Sequence, residues 1–381
     1  MNSRRMFQTA ILIMSLTFFA VASSPQERAA VTQGRSSAVS PPNVEILGTQ
    51  LRKIQSAIVG QDFDVLINLP RNYRDTTRAF PVIYLLDAQW DFPLLNAIFG
   101  EQYYDGFVPE IVTVGIAWGG RNPNYDSLRG RDLTPTTIKQ VPQSGNAARF
   151  LDFIKKELIP FIDTNYRTVK NDRTLMGSSL GGLFTLYAMF HETGIFSRYV
   201  LTSPSLGWDN GIVYTYEKNY ADKNSRLPIR LFMAVGELEG GVAGFQKFVD
   251  RLKTRNYGGF DIQTRVLEGT GHSGSKAEGY SRGLQAVYAR PSLTINHTIL
   301  ESYIGTYQLN PEITVRILKE NDRLVLVAPD SSKINLYAET ETDFYVKGIY
   351  LFLKMQKNDV GRVTGFHVEQ FQGEAFLKKV D

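Results

Sequence analysis

The sequence predicts an α/β protein: a mostly parallel sheet with helices on both faces, followed by a small antiparallel β unit. Three observations carry this. Continuous apolar runs such as Val82-Ile83-Tyr84-Leu85-Leu86 are what strands covered on both faces look like. Between such runs lie segments of helical apolar spacing, the clearest being Ala147 to Tyr166 with Phe150, Leu151, Phe153, Ile154, Leu158 and Ile159. After Pro291 the runs shorten, alternate, and are broken by frequent turn pairs.

The composition sets the bounds. With 381 residues, 43% hydrophobic and 12% aromatic, the chain can fill one large core and a smaller one. Lys and Arg exceed Asp and Glu by only 42 − 38 = 4, and they are scattered, so neither a nucleic-acid footprint nor a polybasic membrane patch is expected. Cysteine is absent, which excludes a disulfide scaffold, a thiolate metal site and a lipid-modified N-terminal Cys.

Taken in order, Met1-Asn2-Ser3-Arg4-Arg5 is basic, Ala10 to Ala22 is nearly all apolar, and Ala20-Val21-Ala22 offers small residues for cleavage. Residues 1–23 are therefore expected to be a secretory signal peptide, and the mature protein bacterial periplasmic or secreted. The Ser/Pro/Ala-rich residues 24–42 read as a disordered linker. No other segment is apolar enough to span a membrane. Over 43–290, strands are expected at Phe63 to Ile67, Val82 to Leu86, Ile111 to Gly115, Arg198 to Thr202, Ile229 to Val235 and Ile262 to Leu267, alternating with helices. Over 291–381, runs such as Arg323-Leu324-Val325-Leu326-Val327, divided by Asn321-Asp322, Pro329-Asp330 and Asn358-Asp359, predict the β unit, with a helix only at Thr298 to Ile304.

The chemistry centres on LMGSSLGGLF, residues 175–184. Gly177-Ser178-Ser179-Leu180-Gly181 fits G-x-S-x-G around Ser179, whereas Ser178 has Met176 and Leu180 at the flanking positions. A serine on a strained strand-to-helix turn projects its hydroxyl above the sheet edge, and flanking glycines let neighbouring backbone pass closely. The helix that follows aims its N-terminus at a developing oxyanion, with the Leu180 N–H as one donor. A serine hydroxyl needs a base. Of the four histidines, His191 sits past the Ser179 helix and His297 and His367 lie in the linker and β unit, which leaves His272 in a glycine-rich loop after the strand Ile262 to Leu267. The carboxylate that orients it should follow the strand ending at Val235. There Glu239, three residues after Gly236, is favoured over Glu237, with Asp209 a weaker third.

Several motifs in one order strengthen this. Leu69-Pro70 with Tyr73, Pro81 to Asp87, Arg131-Asp132-Leu133-Thr134-Pro135, Phe150 to Ile154 with Glu157 to Pro160, the Ser179 elbow, Ser203-Pro204-Ser205, Gly236 to Glu239 and Gly271-His272 together make residues 44–290 resemble the Putative esterase branch of the α/β-hydrolases. That branch contains enterochelin and related siderophore esterases, feruloyl esterases, formylglutathione hydrolase and mycolyl transferases, and the siderophore esterase-like subgroup is the nearest match. The resemblance implies an α/β-hydrolase fold and places a second oxyanion donor, a backbone N–H, on Gln89; Ala88 and Ser178 stand where the family usually has glycine and histidine. Residues 291–381 resemble the small β domain trailing β-lactamase-like proteins, which implies no chemistry.

The expected activity is a secreted serine esterase working through an acyl-enzyme on Ser179, possible substrates being siderophore-type or aryl esters. Acyl transfer and a glycan-binding module with lost catalysis are the alternatives. Neither cofactor nor metal is expected, since no His/carboxylate cluster has ligand spacing. The stretch from Trp118 to Tyr125 and on through Arg129-Gly130-Arg131 is expected beside Ser179, forming a pocket rim with Trp90 and Trp208 that suits a flat aromatic or anionic acyl group. For Arg131 the competing reading is internal pairing that holds its loop, and Arg121 and Arg129 are weaker candidates.

Overall fold

The computed structural model describes residues 45–381, so the expected signal peptide 1–23 and linker 24–42 lie outside the described residues. The chain divides into two units, Leu47–Ala289 and Arg290–Asp381. Among the described residues no helix is long and apolar enough to cross a membrane.

The first unit is built on an eight-stranded sheet. Strands β1 (Thr49–Ser56) and β2 (Gln61–Asn68) form an antiparallel hairpin, and β2 pairs antiparallel with β4 (Val112–Trp118). From there β3 (Phe80–Leu85), β5 (Thr168–Ser178), β6 (Arg198–Thr202), β7 (Arg230–Gly236) and β8 (Asp261–Leu267) extend the sheet in parallel, giving the order β1-β2-β4-β3-β5-β6-β7-β8. The continuously apolar runs are explained by where they sit. Val82 and Tyr84 of β3 point into one core and Ile83 and Leu85 into another, so each face of the sheet is covered.

The helices divide between those faces. On one side lie α1 (Ala88–Tyr104), through Phe92 and Leu95, and α8 (Ser275–Val287), through Tyr280 and Leu284. Packed on the other are α3 (Ala147–Phe153), α5 (Leu180–His191), α6 (Ile212–Ala221) and α7 (Val242–Thr254). In α7 the buried Phe245, Phe248, Val249 and Leu252 follow the spacing of one helical face. Two short helices, α2 (Tyr125–Asp132) and α4 (Ile159–Asn165), complete the set. A π turn at Ile154–Leu158 joins α3 to α4, with the Ile159 N–H bonded to the Ile154 carbonyl. Pro160 explains it, because it has no N–H to give to the preceding turn and its ring crowds that turn.

The second unit starts with α9 (His297–Ser302) and then runs through nine antiparallel strands, from β9 (Gly305–Asn310) to β17 (Gly373–Lys379). Its sheet order places β12 (Lys333–Asn335) at one edge and β13 (Tyr337–Ala338) at the other, yet only Leu336 separates them in the chain. The sheet therefore curls until its edges meet, a nearly closed barrel. Tyr303, Tyr307, Phe344 and Phe366 fill its interior.

Helix α8 approaches β6 unusually closely. A Cβ on Gly279 would lie 2.3 Å from Thr202 Cγ2, and one on Gly283 would lie 2.3 Å from Val200 Cγ1. Within a helix, alanine gains about 1 kcal/mol over glycine, but overpacking a core costs about 1–3 kcal/mol. Gly283→Ala is accordingly expected to lower the urea midpoint with an unchanged m-value. A higher midpoint would mean that α8 is free to move away from the sheet.

Candidate active site

The site forms at the carboxyl ends of the parallel strands. Ser179 occupies the one-residue turn between β5 and α5 with φ 58° and ψ −117°, a conformation that non-glycine residues rarely adopt. Backbone packing enforces it: a Cβ on Gly177 would meet the Gly181 carbonyl carbon at 2.6 Å, and one on Gly182 would meet Pro204 Cα at 3.0 Å. The Ser179 N–H donates to the Thr202 carbonyl at 3.0 Å, and the Ser205 N–H donates to the Ser179 carbonyl at 3.1 Å. The hydroxyls of Ser179 and Ser205 are 3.5 Å apart. Ser178 is buried as the last residue of β5.

The loops after β7 and β8 hold the base and acid candidates. His272 Nδ1 lies 2.7 Å from Glu239 Oε2, and the imidazole is 52% exposed. The other carboxylate oxygen, Oε1, accepts from the Ser203 hydroxyl at 2.5 Å and from the Gly236 N–H at 2.7 Å. Burial alone would raise the Glu239 carboxyl, but the hydrogen bonds from Ser203, His272 and Gly236 outweigh it and hold the group below its ordinary value. Gly236 is required sterically as well, because a Cβ there would lie 2.5 Å from the Thr270 carbonyl oxygen. The two loops are further tied by the Leu238 N–H, which donates to Thr270 O at 3.0 Å.

The other acid candidates lie elsewhere. Glu237 turns to the Gly269 N–H at 2.9 Å and so ties the loop that carries His272, without meeting the imidazole. Asp209 sits in the turn Trp208–Asn210 with φ 44°. His191, at the far end of α5, stacks on Tyr187 at 4.1 Å.

Beside Ser179 the first turns of α1 and α5 meet. The Trp90 and Asp91 N–H groups both donate to Asp87 O, while the Gln89 and Leu180 N–H groups lie in first turns and have no intrahelical acceptor. Asp87 caps α1 with φ 52° and is gripped by Arg129, whose Nε and Nη2 donate to its two oxygens at 3.0 and 2.9 Å. A Cβ on Gly181 would lie 3.3 Å from Asp87 Oδ2, so this carboxylate sits against the α5 N-terminus.

The residues expected at the rim differ in exposure and partners. Trp90 is exposed, with Tyr125 edge-on at 5.9 Å and the Arg129 guanidinium 5.7 Å from its ring. Trp208 is half-buried and donates from Nε1 to Thr136 Oγ1 at 3.1 Å. Trp118 is a correction: it is 2% exposed, stacks on Phe150 and donates to Asp132, because all of β4 is covered on both faces. Arg131 turns to the same carboxylate, its Nε and Nη2 each 2.8 Å from an Asp132 oxygen. Asp132 thus gathers Trp118, Arg131 and Asn146 at the base of the loop.

The model of the Putative esterase family matches residues 56–239, inside the first unit. The chain is 30% identical over 217 residues to the ferri-bacillibactin esterase BesA of Bacillus subtilis, which covers 51% of this chain and 72% of that protein. It is also 30% identical over 157 residues to the siderophore triacetylfusarinine C esterase of Aspergillus fumigatus, covering 40% of this chain and 54% of that one. The crystal structure of the BES protein from Bacillus cereus superposes with a TM-score of 0.60 at 27% identity, over 66% of this chain and 99% of its own.

The lowered Glu239 carboxyl has a consequence for stability. A group depressed in the folded state adds stability that is complete above the unfolded carboxyl range, about pH 4.3, and is lost as pH falls through the folded value. The urea midpoint of the wild-type protein is expected to drop more between neutral pH and pH 3 than that of Glu239→Gln. Equal drops would mean that the three hydrogen bonds do not favour the ionised form.

Proposed function

Because this chain belongs to the Putative esterase family and is a carboxylic ester hydrolase, we propose that Ser179 is its nucleophile, served by His272 and Glu239. The observation that carries this reading is the 2.7 Å contact between Glu239 Oε2 and His272 Nδ1, on loops at the same sheet edge as the strained Ser179 turn. With Nδ1–H given to the carboxylate, Nε2 is the basic nitrogen. It takes the Ser179 proton as Oγ attacks the ester carbonyl, and the charge that develops on the carbonyl oxygen is met by the Leu180 and Gln89 N–H groups. His272 then gives that proton to the departing alcohol. Water repeats the sequence on the acyl-enzyme, releasing the acid and restoring Ser179.

The siderophore esterases among its relatives suggest the substrate class, a small siderophore-type ester. Trp90 supports an aryl acyl part, since it offers an exposed ring one residue along α1 from the proposed Gln89 donor. Arg131 has two nitrogens committed to Asp132, and we assign it to holding the loop. The pattern of residues 1–23 places the mature enzyme outside the cytoplasm in this reading.

Two measurements test it. Ser179→Ala should lose turnover of p-nitrophenyl esters, on the order of 10⁴-fold or more, together with labelling by a fluorophosphonate; persistence of both would assign the nucleophile elsewhere. Trp90→Ala should lower kcat/KM for aryl and catecholate esters more than for acetyl esters, whereas Arg131→Ala should affect all of them alike. An equal loss on every ester in Trp90→Ala would remove the aromatic platform from the proposal.

A further inference from the structure

Ser203 is the residue at which the acid, the base loop and the nucleophile turn come together. It follows β6 with φ 45°, a strained conformation for a serine, and is 3% exposed. Its N–H donates to Ala234 O on β7 at 2.7 Å, so the chain swings toward the loop that carries Glu239. The residue before it, Thr202, accepts the Ser179 N–H. Ser203 therefore follows directly on a backbone anchor of the Ser179 turn.

The hydroxyl of Ser203 has one proton, which it gives to Glu239 Oε1 at 2.5 Å. Toward Ser275 Oγ, 2.7 Å away, it can then only accept. Ser275, wholly buried, shares its single proton between Ser203 Oγ and the His272 carbonyl at 2.8 Å. The chain of bonds closes into a ring: His272 Nδ1 to Glu239, Glu239 to Ser203, Ser203 to Ser275, and Ser275 back to the His272 backbone. Three protons serve these four contacts, and through them the two hydroxyls brace the Glu239 carboxylate and the His272 backbone together.

We propose that Ser203 is a positioning residue for ester hydrolysis, its hydroxyl locking the Glu239 carboxylate against His272. The proposal rests on the assignment of Ser179, His272 and Glu239 made above. Ser203 touches neither substrate nor the reacting atoms in this role and acts entirely through Glu239. The strain at φ 45° is consistent with a position kept for its hydroxyl, because glycine would hold the same backbone at less cost.

The test is a double-mutant cycle on p-nitrophenyl ester hydrolysis, with kcat and KM measured separately. Ser203→Gly and Ser203→Ala should each lower kcat on the order of 10-fold, the scale of one hydrogen bond to a charged group, with KM unchanged. The glycine variant should have the higher Tm, which separates backbone strain from the loss of the hydroxyl. In a Glu239→Gln background neither substitution should slow turnover further. A wild-type kcat in Ser203→Gly, or an undiminished loss in the Glu239→Gln background, would overturn the positioning role and leave the nucleophile assignment standing. If Glu239→Gln alone turned over at the wild-type rate, the assignment of the acid would fall and this inference with it.

Discussion

Backbone crowding at the β5–α5 turn is the constraint on which the rest of the first unit depends. With Gly177 against Gly181 and Gly182 against Pro204, the strand and the helix leave room for only one residue between them. That residue, Ser179, is driven to φ 58°, where its side chain has to stand clear of the sheet. The same packing sets the Ser179 amide on Thr202 and the Ser205 amide on Ser179. The ends of β5 and β6 are thereby locked together, and β6 leads directly into Ser203, whose hydroxyl meets Glu239.

The Glu239 carboxylate is the second organising point, and its hydrogen bonds decide its state. Removing a carboxylate from water favours the neutral acid, and three donors reverse that preference. In the proposed triad a carboxylate so held favours one imidazole tautomer and orientation more than an isolated exposed pair would, since exposed ion pairs contribute little on their own. The glycine at 236 makes the arrangement possible by letting the Thr270 carbonyl pass within the space a side chain would fill.

Much of this was legible in the sequence, and the part that was not shares a physical cause. The strands β3 and β4 announce themselves because both faces are buried, so their apolar runs are continuous; β1 carries no such signal because TQLRKIQS is an edge strand, half exposed, and only pairing with β2 makes it a strand. The Ser179 turn, the Gly236 turn and the His272 loop are each local, written in a few adjacent residues whose backbone demands glycine. Trp118 lies three residues past the strand end expected at Gly115, and nothing in the sequence signals that the strand runs on to it or that Phe150 and Asp132 cover it. Likewise Ser203, Ser275 and the Arg129–Asp87 pair join residues far apart in the chain, and a serine or an arginine carries no signal of its partner. The residue types of the proposed triad are local signals in the sequence; the ring of hydrogen bonds around Glu239 and His272 is not.

The first turn of α1 shows how the remaining charges are reconciled with the proposed oxyanion donors. Asp87 and Asp91 sit one helical turn apart on either side of Gln89, both nearly buried, and two carboxylates there would by themselves repel an anion forming beside the helix. Each is met by a cation from a different element. Arg129 of α2 forks onto Asp87, and Lys276 of α8 reaches Asp91 at 2.7 Å with the Tyr280 hydroxyl at 2.8 Å on its other oxygen. Burial pushes the Asp91 carboxyl up and these two donors pull against it. With the acidic charges paired, the field at Gln89 is left to the helix N-terminus, whose orphan N–H groups favour negative charge. Buried ion pairs are weak sources of stability, because desolvation offsets much of the attraction. Their contribution here is one of register: pairs from α2 and α8 hold α1 by its first turn, which carries the proposed Gln89 donor.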